Sequence, residues 1–595
     1  MVNPPSRQRR PAGIDLAAFA SASLLFLGFW GLGQTYGGME MRIRSPFTHF
    51  SVGELKVWLG TTVFLVPAGV LWGFSLRRWI PATMSRVAAW LGERDRNEVR
   101  ALLGVGSIGA FLIVRTLRAL VLRNGPIVDE ELSGRFGGQI LAGGRLTSEA
   151  SPFFGDFLPD RFLHFNADGE VASIDWLGTR VAWAIGELLG QPAVIFGVAS
   201  AATVAAVAYV VGKRQGPAMG AAFGAIVLLS PMGLALSLTS TAHVLSRALI
   251  AITFAVGIWA TEAARHPRAT IAPVPWVILG MVAGASVLCR PFETLCLLSP
   301  FGVGLVRRAF RDPATRTHLL AVVGGLAGPL LLFLLHNQGT TGHPFTPPYF
   351  SEGAQSDEGR GFIIPGLDIL WYRFGANISY NVFCLSAWFL GPVGVLLTVL
   401  GTNASRFTRT LMVGVGVHLA LGFAHDNSGV HLVGPIHYGE TFVPLLLVAA
   451  RGWARLRAFA ANHRTRILSM AMGALLVSNM CFSYKALEGL AKHAEIMDTL
   501  MAPLRHPDLP RSIVFVPNYA LLRDSFPAFK ETGSVVYEWP RPKPDLSDHV
   551  LIARHRKGRL DEIRAAFPDR AAFRLVRVPA SVDFSGLKLT PLPPK

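Results

Sequence analysis

The chain is short of charge, of cysteine and of internal repetition. Only 16% of its 595 residues are charged, against about 25% in soluble domains. Disordered and coiled-coil classes depend on charge and are excluded at once. The four cysteines, Cys289, Cys296, Cys384 and Cys481, are too few for a disulfide scaffold. None forms a Cys-x-x-Cys pair and all lie in or beside apolar runs, so they read as small core hydrophobes with no zinc or iron–sulfur framework. No collagen period and no repeat of solenoid length is visible.

What the chain has instead is apolar surface. Hydrophobic residues make up 51% and the mean hydropathy is +0.41. A soluble chain of this length would divide into about four domains; here lipid does much of the solvating. Thirteen apolar runs are candidate spans: Leu16–Leu32, Val57–Leu76, Ala101–Leu122, Pro192–Val211, Ala218–Leu234, Ala242–Ala260, Val274–Leu288, Leu295–Val306, Leu319–Leu335, Val382–Leu400, Leu411–Phe423, Phe442–Ala450 and Ile467–Phe482. Several fall short of the ~20 residues a span needs, so their ends extend into the flanks. The first run follows Arg7, Arg9 and Arg10 with no small-residue cleavage signature after it, which predicts a retained helix rather than a signal peptide.

The net charge is +18. In a soluble protein that would point to nucleic acid; in a membrane protein the distribution of the charge decides. Arg77, Arg78, Arg86, Arg94, Arg96 and Arg100 share one loop, and Lys213 and Arg214, Arg265 and Arg268, and Arg307 to Arg316 follow on alternate loops. Arg406 and Arg409, then Arg451 to Arg466, continue the series. The intervening segments Pro231–Thr241 and His425–Thr441 hold no Lys or Arg. Cytoplasmic loops collect such residues. The pattern puts the N-terminus in the cytoplasm, accounts for most of the charge and leaves no case for a nucleic-acid partner.

An odd number of spans places the tail outside the cytoplasm. The expected organisation is a polytopic α-helical membrane domain over 1–486, with outer loops at 123–178 and 336–380, and a small extracytoplasmic α/β domain over 487–595. In the tail, Ser512–Val516, Val535–Trp539, Val550–Arg554 and Phe573–Val578 read as strands and Arg559–Phe567 as a helix.

Long ordered loops on a membrane scaffold tend to carry function. The first outer loop opens with Asp129-Glu130-Glu131. Phe136, Ile140 and Leu141 then mark one apolar face of a short helix that would lie on the membrane surface and hold the acids at its start. Asp156, Asp160, His164, Asp168 and Asp175 follow in the same loop. An acid fixed at the interface can deprotonate a hydroxyl or amine, or hold a divalent cation such as Mg or Mn. His336, His343, His425, His431 and His437 all fall on the outer side, but no His-x-x-x-His pair on a clear helix argues for a metal centre, and none is assigned. His243, on an apolar helix, reads on its own as a core histidine.

Asp129-Glu130 followed by Gly137-Gly138-Gln139-Ile140-Leu141-Ala142-Gly143-Gly144-Arg145-Leu146 resembles the first outer loop of the GT-C membrane glycosyltransferases. That superfamily includes glycosyltransferase family 39, the protein O-mannosyltransferase-like enzymes, and the lipid A aminoarabinose transferases. Ser230-Pro231 with His243 downstream, Cys289-Arg290-Pro291, Asn337 to Pro344, and Gly434-Pro435-Ile436-His437-Tyr438-Gly439-Glu440 agree in order with the family's later stretches. The family's Tyr-Pro-Pro-Gly-like stretch is here Ile174-Asp175-Trp176-Leu177-Gly178. The resemblance implies a GT-C fold and inverting transfer of a sugar from a polyprenyl-phosphate donor to a glycan, lipid or protein acceptor outside the inner membrane.

Charge placement agrees with that implication. A donor phosphate needs cations at the outer boundary. Arg115 and Arg118 lie three apart and late in an outward helix, with Arg290 and Arg373 at comparable depth. Intramembrane arginine is expensive and suits phosphate. Asp129 is the expected base with Glu130 as its helper, and Asp156, His243, His343, Tyr438 and Glu440 are the expected substrate contacts. A secondary transporter or lipid-linked sugar flippase, and a non-catalytic envelope assembly factor, are the competing readings.

Overall fold

The computed structural model is mostly helical. It describes residues 15–36, 52–150, 153–157, 162–265, 273–350, 354–355, 368–424, 430–460, 463–517, 539–556, 558–577 and 587–593. The expected strand over Val535–Trp539 and the middle of the 336–380 loop therefore lie almost wholly outside the described residues, and Arg7, Arg9, Arg10 and His425 lie wholly outside them.

Among the described residues, six helices are long and apolar enough to cross a membrane: Val52–Ser75, Arg96–Leu122, Val194–Gln215, Ala242–Ala263, Pro313–Thr341 and Thr465–Arg505. Two bent pairs add up to two more, Pro217–Leu229 with Pro231–Ser237 at 65° and Asn377–Phe389 with Gly391–Thr402 at 96°. Pro231 and Gly391 stand at the breaks, where a missing amide donor and a positive φ of 62° respectively end a regular helix. Leu16–Trp30 and Val274–Cys289 are apolar but shorter. The remaining expected runs sit in Pro291–Ala309, Arg406–Phe423 and Phe442–Phe459. Arg307 and Arg308, Arg406 and Arg409, and Arg451 and Arg455 lie inside these helices, which shortens their apolar stretches. The expectation of about thirteen spans is accordingly not reproduced by length and composition.

Helices approach closely where glycines face each other. A Cβ on Gly280 would stand 2.1 Å from the Val322 carbonyl, and one on Gly325 would stand 2.0 Å from that of Val277. Only hydrogen fits there, so Val274–Cys289 packs backbone to backbone on Pro313–Thr341. Two further helices answer to no expected run. Trp79–Gly92 lies in the first basic loop and Leu177–Leu188 closes the first outer loop.

The Arg464–Met501 helix runs 38 residues without interruption, straight through the expected boundary at Leu487. It leads into a four-stranded sheet, 587–591, 571–577, 512–516 and 550–554 in spatial order. Ser512–Val516 is parallel to both neighbours, while Leu587–Pro591 is antiparallel to Ala571–Arg577. All five residues of Ser512–Val516 are buried, as a central parallel strand requires. A second small sheet joins the two expected outer loops, pairing Leu163–Phe165 with Glu170–Ser173 of the first and with Ala354–Gln355 of the second.

Candidate active site

The outer-loop helix begins where the sequence places the acids. It spans Asp129–Ala142 with Val128 as N-cap, so Asp129, Glu130 and Glu131 form its first turn. Carboxylates there oppose the positive end of the helix dipole. Phe136 and Ile140 are buried, together with Leu163 and Val171 of the small sheet. Asp129 is 3% exposed.

The third acid is the one that holds the helix down. Glu131 accepts from Arg118 Nη2 at 2.8 Å and from the Ile127 backbone amide at 3.3 Å. Arg118 also donates to the Leu238 carbonyl. Both side chains are almost fully buried. Sequence reasoning singled out Arg118 as a phosphate ligand and passed over Glu131; the two neutralise each other at the junction of the Arg96–Leu122 helix and the loop.

A second cluster is assembled from four distant segments. His243 is the second residue of the Ala242–Ala263 helix. Glu440 comes from the 3-10 turn Ile436–Thr441, and its carboxylate oxygens lie 3.1 and 3.2 Å from His243 Nδ1. Arg290 occupies the break between Val274–Cys289 and Pro291–Ala309, with φ −151° and ψ 86°. Pro291 cannot continue the preceding helix, and the break turns the guanidinium onto Glu293 in the next helical turn, where Nε donates at 2.8 Å and Nη2 donates to the same oxygen. His418, buried in the Arg406–Phe423 helix, lies within electrostatic range of Glu293, Glu440, Arg290 and His243.

Around this core, His437 stacks on His243 with ring centroids 5.8 Å apart. Tyr438 accepts from Asn381 Nδ2 at 2.8 Å. Arg247, one helical turn beyond His243, donates to Ser237 Oγ at 2.8 Å and to the Gly233 carbonyl at 3.3 Å, and its charge reaches Glu440. The proline-started turn Pro231–Ser237, capped by Ser230, supplies both acceptors. Ser230-Pro231 thus serves the site by seating an arginine.

The two clusters are electrically joined. Arg290 interacts with Glu130 of the outer-loop helix as well as with Glu293 and Glu440. Three carboxylates therefore lie within electrostatic range of Arg290, and Arg247 reaches one of them. His243, Glu293 and Glu440 each bring a ligand atom to within 4.8 Å of the others. One nitrogen and two carboxylate oxygens suit Zn or Mn. Among the described residues His243 Nε2 has no hydrogen-bond partner, so the donor set fits a divalent cation.

The other expected residues are placed elsewhere. Arg115 Nη2 donates to Gln191 Oε1 at 3.3 Å. His343 is exposed just beyond the end of the Pro313–Thr341 helix. The side chain of Arg373 lies outside the described residues. Asp156 is 2% exposed and faces the C-terminal sheet domain, with Arg559 Nε at 2.9 Å and Arg556 Nε at 3.8 Å. Phe157 packs beside it edge-on against Phe567. Asp156, expected as a substrate contact, thus lies against arginines of the C-terminal domain.

A third buried network braces the loop from below. Asp175 accepts from Ser173 Oγ at 2.7 Å, and Ser173 meets Ser133 at 2.9 Å. Burial pushes the Asp175 carboxyl above the usual carboxylate range, against the pull of those hydroxyls. Arg180, fully buried, donates to the Leu146 carbonyl at 2.6 Å and to His336 Nε2 at 2.7 Å. Glu293, His418 and Arg180 were missed in the sequence. Glu293 pairs with Arg290 only three residues away, whereas Arg180 reaches its partner His336 across 156 residues of sequence.

No family model and no curated protein matches the chain. Among solved structures, ArnT from Cupriavidus metallidurans bound to undecaprenyl phosphate is 13% identical, with 79% of this chain and 93% of that one covered at a TM-score of 0.46. The Archaeoglobus fulgidus oligosaccharyltransferase in complex with Zn and sulfate is 12% identical, covering 67% and 56% at a TM-score of 0.38. The archaeal oligosaccharyltransferase AglB from the same organism, with an inhibitory peptide and a dolichol-phosphate, is 10% identical over 73% and 64% at a TM-score of 0.36.

Proposed function

We propose that the chain is a membrane glycosyltransferase of the GT-C kind, which moves a sugar from a polyprenyl-phosphate donor to an acceptor outside the inner membrane. The feature that supports this best is Arg290, a cation at the break between two apolar helices that lies within electrostatic range of Glu130 at the acidic start of the outer-loop helix. In this reading Arg290, alone or with a divalent cation held by His243, Glu293 and Glu440, receives the donor phosphate. Arg118 is already neutralised by Glu131 and positions the loop helix rather than the donor.

The reaction follows from those roles. The acceptor oxygen or nitrogen attacks the anomeric carbon as the carbon–oxygen bond to phosphate breaks, and the lipid phosphate leaves with the electron pair. Configuration inverts. The acceptor's proton passes to Asp129, with Glu130 steadying the acceptor side. General-base help of this kind contributes ~10²–10⁴ in rate, while cation stabilisation of the leaving phosphate requires no acid.

The test is transfer by the purified full-length chain of a radiolabelled sugar from polyprenyl phosphate to an envelope extract. Transfer with release of lipid phosphate is expected. Asp129→Asn should keep expression and donor binding and lose at least ~tenfold in turnover. Near-normal turnover in that variant reduces Asp129 to a helix-start charge. Movement of labelled donor across vesicles without transfer would overturn the enzyme assignment in favour of a flippase.

A further inference from the structure

A strongly basic pocket lies about 30 Å from the acid cluster, at the other end of the same helix. His243 begins the 22-residue helix Ala242–Ala263, and Glu262 near its end pairs with Lys213 at 2.9 Å. Beside Lys213 opens a pocket of about 480 Å³, and Arg214, Met219, Arg451, Trp453 and Arg457 line it.

Its charge is unbalanced. Among the described residues no carboxylate pairs with Arg214, Arg451 or Arg457, and Glu262 is taken by Lys213. Arg214 instead feels the like charges of Arg451 and Arg265 and lies over the Phe407 ring at 3.9 Å. Part of the pocket wall is apolar: Trp453 is 5% exposed and Met219 is partly buried, while Phe459, outside the pocket at the end of the same helix as Trp453, is 88% exposed. Mutually repelling guanidinium groups gathered in a concavity, beside apolar surface at the ends of lipid-facing helices, lack a partner that is anionic at one end and greasy at the other.

We propose that this pocket binds the phosphate headgroup of an anionic membrane lipid, in the leaflet opposite the candidate active site. The guanidinium fork matches phosphate oxygens two at a time, and basic pockets between helix ends on the side rich in Lys and Arg take such headgroups. The apolar part of the wall and Phe459 favour a lipid over a soluble phosphate, since a free anion gains nothing from them. The site is independent of the catalytic proposal.

The full-length chain in neutral detergent would be titrated with phosphatidylglycerol, phosphatidylcholine and inorganic phosphate, and retained lipid read by native mass spectrometry. Phosphatidylglycerol is expected to bind well over tenfold more tightly than phosphatidylcholine, and to weaken between 0.1 and 1 M salt as the screening length falls from about 10 to about 3 Å. Each arginine should contribute roughly fivefold, so R214Q/R451Q/R457Q should lose on the order of a hundredfold. Should the triple variant fail to fold, Arg457→Gln alone should still lose about fivefold. Arg307→Gln with Arg308→Gln, at another helix end, should change nothing. Equal binding of the two lipids, wild-type binding by the arginine variants, or displacement of lipid by millimolar inorganic phosphate would each overturn the proposal, the last by making the site a free-anion pocket.

Discussion

Arg290 and Glu293 lie three residues apart across a helix break, one 14% and the other 6% exposed at the side chain. Removing one partner of a buried pair leaves an uncompensated charge and costs about 3–5 kcal/mol, whereas removing both is often neutral. Arg290→Met should therefore lower the Tm sharply, and Arg290→Met with Glu293→Leu should recover most of the loss. A double variant no more stable than the single one would mean that Glu440 and Glu130, not Glu293, carry the interaction. The Arg118–Glu131 pair is as deeply buried and joins the last turn of a helix to the first turn of the next. Loop acids of this sort were legible in the sequence as a cluster at a membrane boundary. Which acid is tethered and which faces the site was not, because Asp129, Glu130 and Glu131 are separated by about 100° steps whose phase only the packed helix fixes.

At the scale of elements, the first outer loop is held from two sides. From the membrane side Ser133, Ser173 and Asp175 tie the loop helix to the small sheet. From the outside Asp156 and Phe157 dock onto the C-terminal sheet through Arg559 and Phe567. Asp156→Asn removes the charge shared by Arg556 and Arg559 and so weakens the ionic part of this docking. The expected result is faster tryptic cleavage after Arg556 and Arg559 with the membrane helices intact; unchanged cleavage would show that Phe157 and its apolar neighbours hold the interface unaided. The strands Ser512–Val516 and Val550–Arg554 were readable as short β-branched runs and appear with those bounds. The docking was not readable, since Asp156 and Arg559 stand 403 residues apart and neither carries a local signal of its partner.

For the whole molecule, the alternation of basic and base-free loops argues for one orientation, with the N-terminus in the cytoplasm and the C-terminal sheet outside. A periplasm-active reporter fused after Lys595 should be active, and a cytoplasm-active one silent; the reverse would invert the topology and move the candidate active site to the cytoplasmic face. Apolar runs made the membrane class plain from composition alone. The number of crossings was not plain, because breaks such as Ser230-Pro231 and Leu390-Gly391 divide one apolar run into two helices set at 65° and 96°, and a broken run has the same hydropathy as a straight one.

The unbroken Arg464–Met501 helix makes the molecule a lever. At 1.5 Å per residue its 38 residues span about 57 Å, nearly twice the ~30 Å of bilayer hydrocarbon. A strut that long and without a hinge transmits rotation: whatever turns its membrane end turns the sheet at the far end through the same angle. Inserting one alanine after Ala491 should therefore swing the sheet by about 100° and raise it by about 1.5 Å, carrying Arg559 away from Asp156. Cross-linking between cysteines placed at 156 and 559 should be efficient in the otherwise wild-type chain and lost on insertion. Retained cross-linking would mean that the strut bends, and that the sheet follows the loop rather than the helix.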